Sequence, residues 1–161
     1  MIDITLPDGT IKQVEKNSTA MDIALSISEG LARNVLAAEV NGSVVDAHLP
    51  IEASSYLKLL TWNDNDGKST MWHSSAHLMA EAIQLYYPNA KFAIGPPIEK
   101  GFYYDIDFMG ESFSENDLQK IESKMKELAK AKNQYIRKEV SKNDAISYFK
   151  TKEDPYKLEL L

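Results

Sequence analysis

The sequence contains no cysteine, which excludes a disulfide framework and any thiolate metal site. No apolar run approaches the roughly 20 residues needed to span a bilayer. The first residues, MIDITLPDGT, lack the basic start and apolar stretch of a signal peptide. Histidine is scarce, three in 161 residues, so any imidazole chemistry falls to His48, His73 and His77. A formal net charge of −6 argues against the whole chain acting as a polyanion-binding surface. These absences fit a cytoplasmic protein that contacts no membrane.

What is present suits a packed core: 43% of residues are apolar and 26% charged, near the globular norm. The charge is unevenly spread. From Lys120 to Lys142 there are eight Lys or Arg against three Glu, whereas residues 1–61 carry four basic and eight acidic side chains. The ordinary reading of the basic stretch is a solvated helix face followed by a surface strand.

Periodicity divides the first 61 residues into a hairpin, a helix, a second hairpin and a strand. Ile2, Ile4 and Leu6 alternate with polar neighbours, Pro7-Asp8-Gly9 turns the chain, and Ile11 and Val14 come next, predicting a hairpin. Thr19 and Asp22 predict an N-capped helix with Met21, Ala24, Leu25 and Ile27 on its apolar stripe. Gly30 suits a stop or bend. A second hairpin turns at Asn41-Gly42, and YLKLLT adds a last strand. A small sheet covered by one helix belongs to the β-grasp, or ubiquitin-like, class of α+β domain.

The polar, turn-rich WNDNDGKS predicts a domain boundary. The expected organisation is therefore a β-grasp domain at 1–61, a linker at 62–69 and a second α+β domain at 70–161. The second half opens with a helix whose stripe is Trp72, Ala76, Met79, Ala80, Ile83 and Tyr87, ending near Pro88. Gly95-Pro96-Pro97 and Gly101 mark a stiff loop. Phe102, Tyr104, Ile106 and Phe108 alternate with Tyr103, Asp105 and Asp107 and predict a half-buried strand. Ser114 and Asp117 cap a helix carrying Leu118, Ile121, Met125 and Leu128. QYIRKEV predicts a strand, SKNDAISYF a short capped helix, and Asp154-Pro155 one more helix start. The sequence ends at Leu161 inside that helical run, as expected of a piece of a longer protein.

His73 and His77 lie four residues apart, stacked on one face at the edge of the buried stripe, with Glu81 continuing their row. Three readings fit that spacing. The first is a pair of boundary histidines with satisfied hydrogen bonds. The second is a metal site using His73, His77 and Glu81, although Ser74 stands where the helical zinc-protease signature needs Glu. The third is metal-free acid–base or binding chemistry, because imidazoles titrate near neutrality. His48, in a turn beside Pro50, carries no functional reading.

Resemblance narrows the choice. ITLPDGTI and TAMDIALSISEGLARNVLAAEVNG resemble the TGS domain that begins threonyl-tRNA synthetases. HSSAHLMAEAI, AIGPPIEKGFYYDID and EDPYKLELL resemble the adjacent editing domain, over essentially all 161 residues and in the family's order. The resemblance implies hydrolysis of serine wrongly esterified to threonine tRNA. His73 and His77 match the family's editing histidines and would hold the terminal ribose and place or deprotonate water. Lys157 matches a lysine that would steady charge developing at the ester. Gly95, Tyr103 and Tyr104 would line the pocket for the terminal adenosine, Gly by close backbone approach and a tyrosine by stacking. Phe102 is expected to be structural.

In the family a later Asp and a Cys-x-x-x-His segment complete the pocket, and neither is in this sequence. The resemblance implies no metal or other cofactor here. ATP, magnesium and zinc would serve the parent's aminoacylation domain. The implied partner is tRNA(Thr), above all its aminoacylated 3′ end, with this piece monomeric and the parent a homodimer. A different class of function, a non-catalytic TGS-type RNA-binding or regulatory module, and a third, a metal-binding domain, stand beside this reading.

Overall fold

The computed structural model describes residues 1–133 and 135–161, and its contacts divide the chain into two units, Met1–Trp72 and His73–Leu161. In the first, β1 (Ile2–Thr5) and β2 (Ile11–Val14) pair antiparallel, with Ile4 opposite Lys12. The turn between them is closed by Asp8, whose Oδ1 accepts from the Thr10 amide at 2.9 Å. Gly9 takes φ 84° there, a conformation glycine adopts without steric penalty.

Helix α1 (Ala20–Ile27) opens on a capping box: the Asp22 amide donates to Thr19 Oγ1 at 3.1 Å, and the Thr19 amide to the Asp22 carboxylate at 2.8 Å. Its buried face is Ala20, Ile23 and Ala24. Leu25 and Ile27, expected on that face, are exposed. Residues 20, 23, 24 and residues 21, 24, 25 both satisfy helical spacing, so in an eight-residue helix the sheet, not the period, chooses the face. Nor does Gly30 end the helix. Ser28 leaves helical geometry with φ −166° and caps α2 (Glu29–Ala32), accepting the Leu31 amide at 3.0 Å; Gly30 lies inside α2.

Strands β3 (Ala37–Val40) and β4 (Ser43–Val45) form the second hairpin, with Asn41 and Gly42 at φ 50° and 83°. Both angles are left-handed, the geometry that matches strand twist in a two-residue turn. Strand β5 (Ser55–Leu60) runs parallel to β1 and antiparallel to β3, giving the order β2-β1-β5-β3-β4. Ile4, Ile23 and Leu57 meet at the centre of the core, fully buried. This is a β-grasp domain of the α+β class.

The segment expected as a linker is mostly helix: α3 runs from Asn65 to Tyr86. Asp64 organises its start. Its carboxylate accepts the Thr61 amide at 2.9 Å and Lys58 Nζ at 2.8 Å, while its carbonyl takes the Lys68 amide. Asn, Asp and Gly mark turns and helix starts alike, which is why this stretch reads as a loop. Trp72, expected on the buried stripe beyond, packs edge-on to Trp62 with ring centroids 5.4 Å apart.

In the second unit α3 ends at Tyr86, two residues before Pro88, as the restriction on pre-proline geometry requires. Strands β6 (Lys91–Phe92), β7 (Pro97–Ile98), β8 (Gly101–Phe102) and β9 (Ile106–Asp107) form two short antiparallel pairs, β6 with β9 and β7 with β8. Pro97 is thus in a strand, not the loop expected for it. The continuous strand expected over 102–108 is broken at 103–105. Asp105 nonetheless extends the β6–β9 pairing, its carbonyl accepting the Ala93 amide and its amide donating to Ile94 O, each at 2.9 Å. Tyr104, Ile106 and Phe108 keep their alternation and pack on a core of Ala82, Ile83, Tyr87, Ala90, Phe92 and Ile121.

Helix α4 (Glu115–Ala131) buries Ile121 against that core, with Met125 and Leu128 partly covered and Leu118 exposed. Helices α5 (Lys142–Thr151) and α6 (Pro155–Glu159) are capped by Ser141 and Asp154, which accept the amides of Asp144 and Lys157. The strand expected at QYIRKEV does not form among the described residues; Gln134 lies outside them. Tyr135 and Ile136 are 74% and 80% exposed. A strand needs a neighbour to complete its ladder, and no described strand pairs with this stretch.

Candidate functional site

Four-residue spacing on α3 brings the two imidazoles together: His73 Nε2 and His77 Nε2 lie 2.8 Å apart, with ring centroids at 4.6 Å. One ring must donate and the other accept, so the bond exists only while at least one of them is neutral. Partial burial pushes the His77 pKa down, and positive charge at His73 and at Lys157 pushes it further in the same direction. His77 therefore carries a free or hydrogen-bonded lone pair at neutral pH, the state a proton acceptor needs.

Lys157 arrives from the other end of the unit. Asp154 caps α6 by taking the Lys157 amide at 3.0 Å, and Lys157 Nζ donates to the carbonyl of Ala93 at 3.0 Å. Among the described residues that is its one donor bond, which leaves the ammonium two protons for a ligand. His77, Tyr104 and Lys157 line one cleft of about 690 Å³, together with Glu81, Lys91 and Tyr148. His73 joins through its bond to His77. A volume of this order holds a nucleoside-sized ligand.

Tyr104 is held edge-on to Phe92, ring centroids 5.5 Å apart, and burial raises its hydroxyl pKa. Gly95 lies directly against that ring: a β-carbon there would fall 1.8 Å from Tyr104 Cδ2. Gly95 thus allows the aromatic ring to settle onto the backbone. Neither Gly95 nor Tyr103, which is half exposed, is among the cleft-lining residues. His48 belongs to the first unit, where Nδ1 lies 3.4 Å from Asp46 Oδ1 at the surface. No three His, Asp or Glu side chains converge as metal ligands among the described residues. Much of the basic stretch is paired on the surface, Lys120 with Asp117, Lys124 with Glu127, Lys126 with Glu122 and Arg137 with Glu139.

Sequence reasoning missed three contacts that build this site. Tyr156 Oη donates to Asp107 Oδ2 at 2.7 Å, Lys91 Nζ donates to the Lys152 carbonyl at 2.9 Å, and Lys152 lies over the Tyr148 ring at 5.8 Å. The capping pattern at Asp154-Pro155 signals the start of α6, but nothing local signals which strand α6 packs against.

The TGS domain family matches residues 2–61. Residues 2–61 are a TGS domain. Over all 161 residues the chain is 64% identical to a protein from Cytophaga hutchinsonii named threonine–tRNA ligase, covering 25% of that protein. It is 51% identical over 162 aligned positions to the threonine–tRNA ligase of Porphyromonas gingivalis, again covering 25% of it. The figure for the threonine–tRNA ligase of Flavobacterium psychrophilum is 47% over 161 residues, covering 24%. The chain therefore spans about a quarter of the length of the curated relatives it matches. No described helix is long and apolar enough to cross a membrane.

Proposed function

We propose that this chain is the N-terminal region of a threonine–tRNA ligase, with a TGS domain at 1–61 and the first part of an editing domain at 70–161. The parent would join threonine to its tRNA with ATP, in the cytoplasm. This region would bind the aminoacylated 3′ end of tRNA(Thr) and contribute to hydrolysis of seryl-tRNA(Thr). The chemical need is specific: serine differs from threonine by one methyl, worth only about 1–3 kcal/mol of discrimination in a pocket, so a second site must supply the remaining fidelity.

The observation that carries this reading is the meeting of His77 and Lys157 at one cleft, with His73 bonded to His77. Water adds to the ester carbonyl while its proton passes to the neutral imidazole of His77. The ester C–O bond then breaks, and a proton goes to the departing ribose oxygen. Lys157 stabilises the negative charge that develops on the carbonyl oxygen. The second imidazole fixes the first and offers a hydrogen bond to the ribose. Tyr104 offers its ring to the terminal adenine, with Gly95 beneath it; Tyr103, on the exposed side, would contribute at the pocket mouth.

The test is deacylation of serine- and threonine-charged tRNA(Thr), by this chain and by one extended through the Cys-x-x-x-His segment. The extended protein should hydrolyse the seryl ester selectively and lose that activity on His73→Ala, His77→Ala or Lys157→Ala. This chain alone should show little turnover. If the extended protein is indifferent to His77→Ala while tRNA binding falls steeply with salt, the RNA-binding module is the better description.

A further inference from the structure

We propose that Tyr156 and Asp107 form a positioning pair that holds Lys157 at the cleft. This rests on the reading of Lys157 as the cationic group of the site. The Tyr156 hydroxyl donates to Asp107 Oδ2 at 2.7 Å, and Asp107 Oδ1 accepts the Met109 amide at 2.8 Å, so both carboxylate oxygens are fixed. Those two bonds hold the Asp107 pKa below the usual carboxylate range and keep it an acceptor at neutral pH.

The geometry explains why a tether is needed. Helix α6 is only five residues long, too short to be stable by its own backbone bonds. Tyr156 and Lys157 are adjacent on it, one bound to β9 and the other to Ala93, the residue just after β6. Strands β6 and β9 are themselves paired, Lys91 with Asp107 and Phe92 with Ile106. The Tyr156 bond therefore pins α6 to the same two-stranded ribbon from which the Lys157 ammonium takes its carbonyl partner. Without it, a long flexible side chain on a one-turn helix would sample many positions. Neither Tyr156 nor Asp107 lines the cleft, so they act through Lys157.

His77 reports on Lys157 without any substrate. The charged and titratable groups that share its cleft are Glu81 on α3, Lys91 on β6, Tyr104 before β9, Tyr135, Tyr148 on α5, Lys152, Asp154 at the start of α6 and Lys157, and His73 is bonded to it. In the full chain the titration midpoint of His77 is followed by NMR of the imidazole in wild type, Tyr156→Phe, Lys157→Met and the double variant. Tyr156→Phe removes one oxygen atom and should leave the fold intact. Its His77 midpoint should move up toward that of an ordinary histidine, as in Lys157→Met, and the double variant should go no further. Acetylation of Lys157 by a small reagent, read by mass spectrometry, should also be several-fold faster in Tyr156→Phe and in Asp107→Ala. An unchanged His77 midpoint in Tyr156→Phe overturns the proposal, as does unchanged Lys157 reactivity in both variants. Neither readout involves tRNA, so a failure here is distinct from a failure of the deacylation experiment.

Discussion

The ring of Tyr104 occupies the space a side chain at Gly95 would need: an added β-carbon would lie 1.8 Å from Cδ2 and 2.0 Å from Cε2. Gly95→Ala must therefore displace the ring from its edge-on contact with Phe92. We expect a loss of about 1–3 kcal/mol in unfolding free energy, measured by chemical denaturation. In a Tyr104→Ala background the same change should cost much less, a coupling that a double-mutant cycle reads directly.

Gly67 makes the same argument with backbone as the obstacle. A β-carbon there would lie 2.0 Å from the Thr61 carbonyl oxygen and 2.8 Å from its carbon. Gly→Ala inside a helix ordinarily stabilises by about 1 kcal/mol. Here the sign should reverse, to a destabilisation of about 3 kcal/mol, because Thr61 is held by Asp64 and cannot retreat. Thermal unfolding of Gly67→Ala checks it.

His77 gives the protein a pH dependence. Burial, together with the charges of His73 and Lys157, holds its folded-state pKa below the ordinary 6.5. The unfolded chain thus takes up a proton that the folded chain resists, and stability falls as pH drops through 6.5, levelling off below the folded-state value. His77→Gln should flatten this part of the stability–pH curve, and NMR should place the His77 midpoint below 6.5.

Asp117 acts at lower pH. Its carboxylate accepts the Ser114 hydroxyl at 2.7 Å and the Ser114 amide at 3.0 Å, lowering its pKa to about 2. A depressed carboxylate contributes stability above its unfolded value of 3.8, and loses it as pH falls toward about 2. Ser114→Ala removes the hydroxyl donor and should move the Asp117 midpoint upward by NMR.

Legibility tracked the range of the interaction. The Gly9 and Asn41-Gly42 turns, the Thr19 capping box and the helix starts at Ser141 and Asp154 all depend on contacts within four residues, and the structure has them where composition placed them. The misreadings arose where two local meanings coincide. Asn65-Asp66-Gly67 suits a linker or a helix start, and the hold of Asp64 on Thr61 and Lys58, with Gly67 fitted against Thr61, makes it the latter. The apolar alternation from Phe102 to Phe108 marked which side chains pack, but a pattern of period two says nothing about where the ladder breaks.

Chain order alone thus set the turns, the caps, the β-grasp class and the stacking of His73 on His77, because each depends on the reach of a residue to its near neighbours. The arrival of Lys157 beside those imidazoles, the anchoring of Tyr156 on Asp107 and the seating of Tyr104 on Gly95 came from folding in three dimensions. Each joins an element to a partner remote in sequence, and periodicity carries no record of which remote surface will be met.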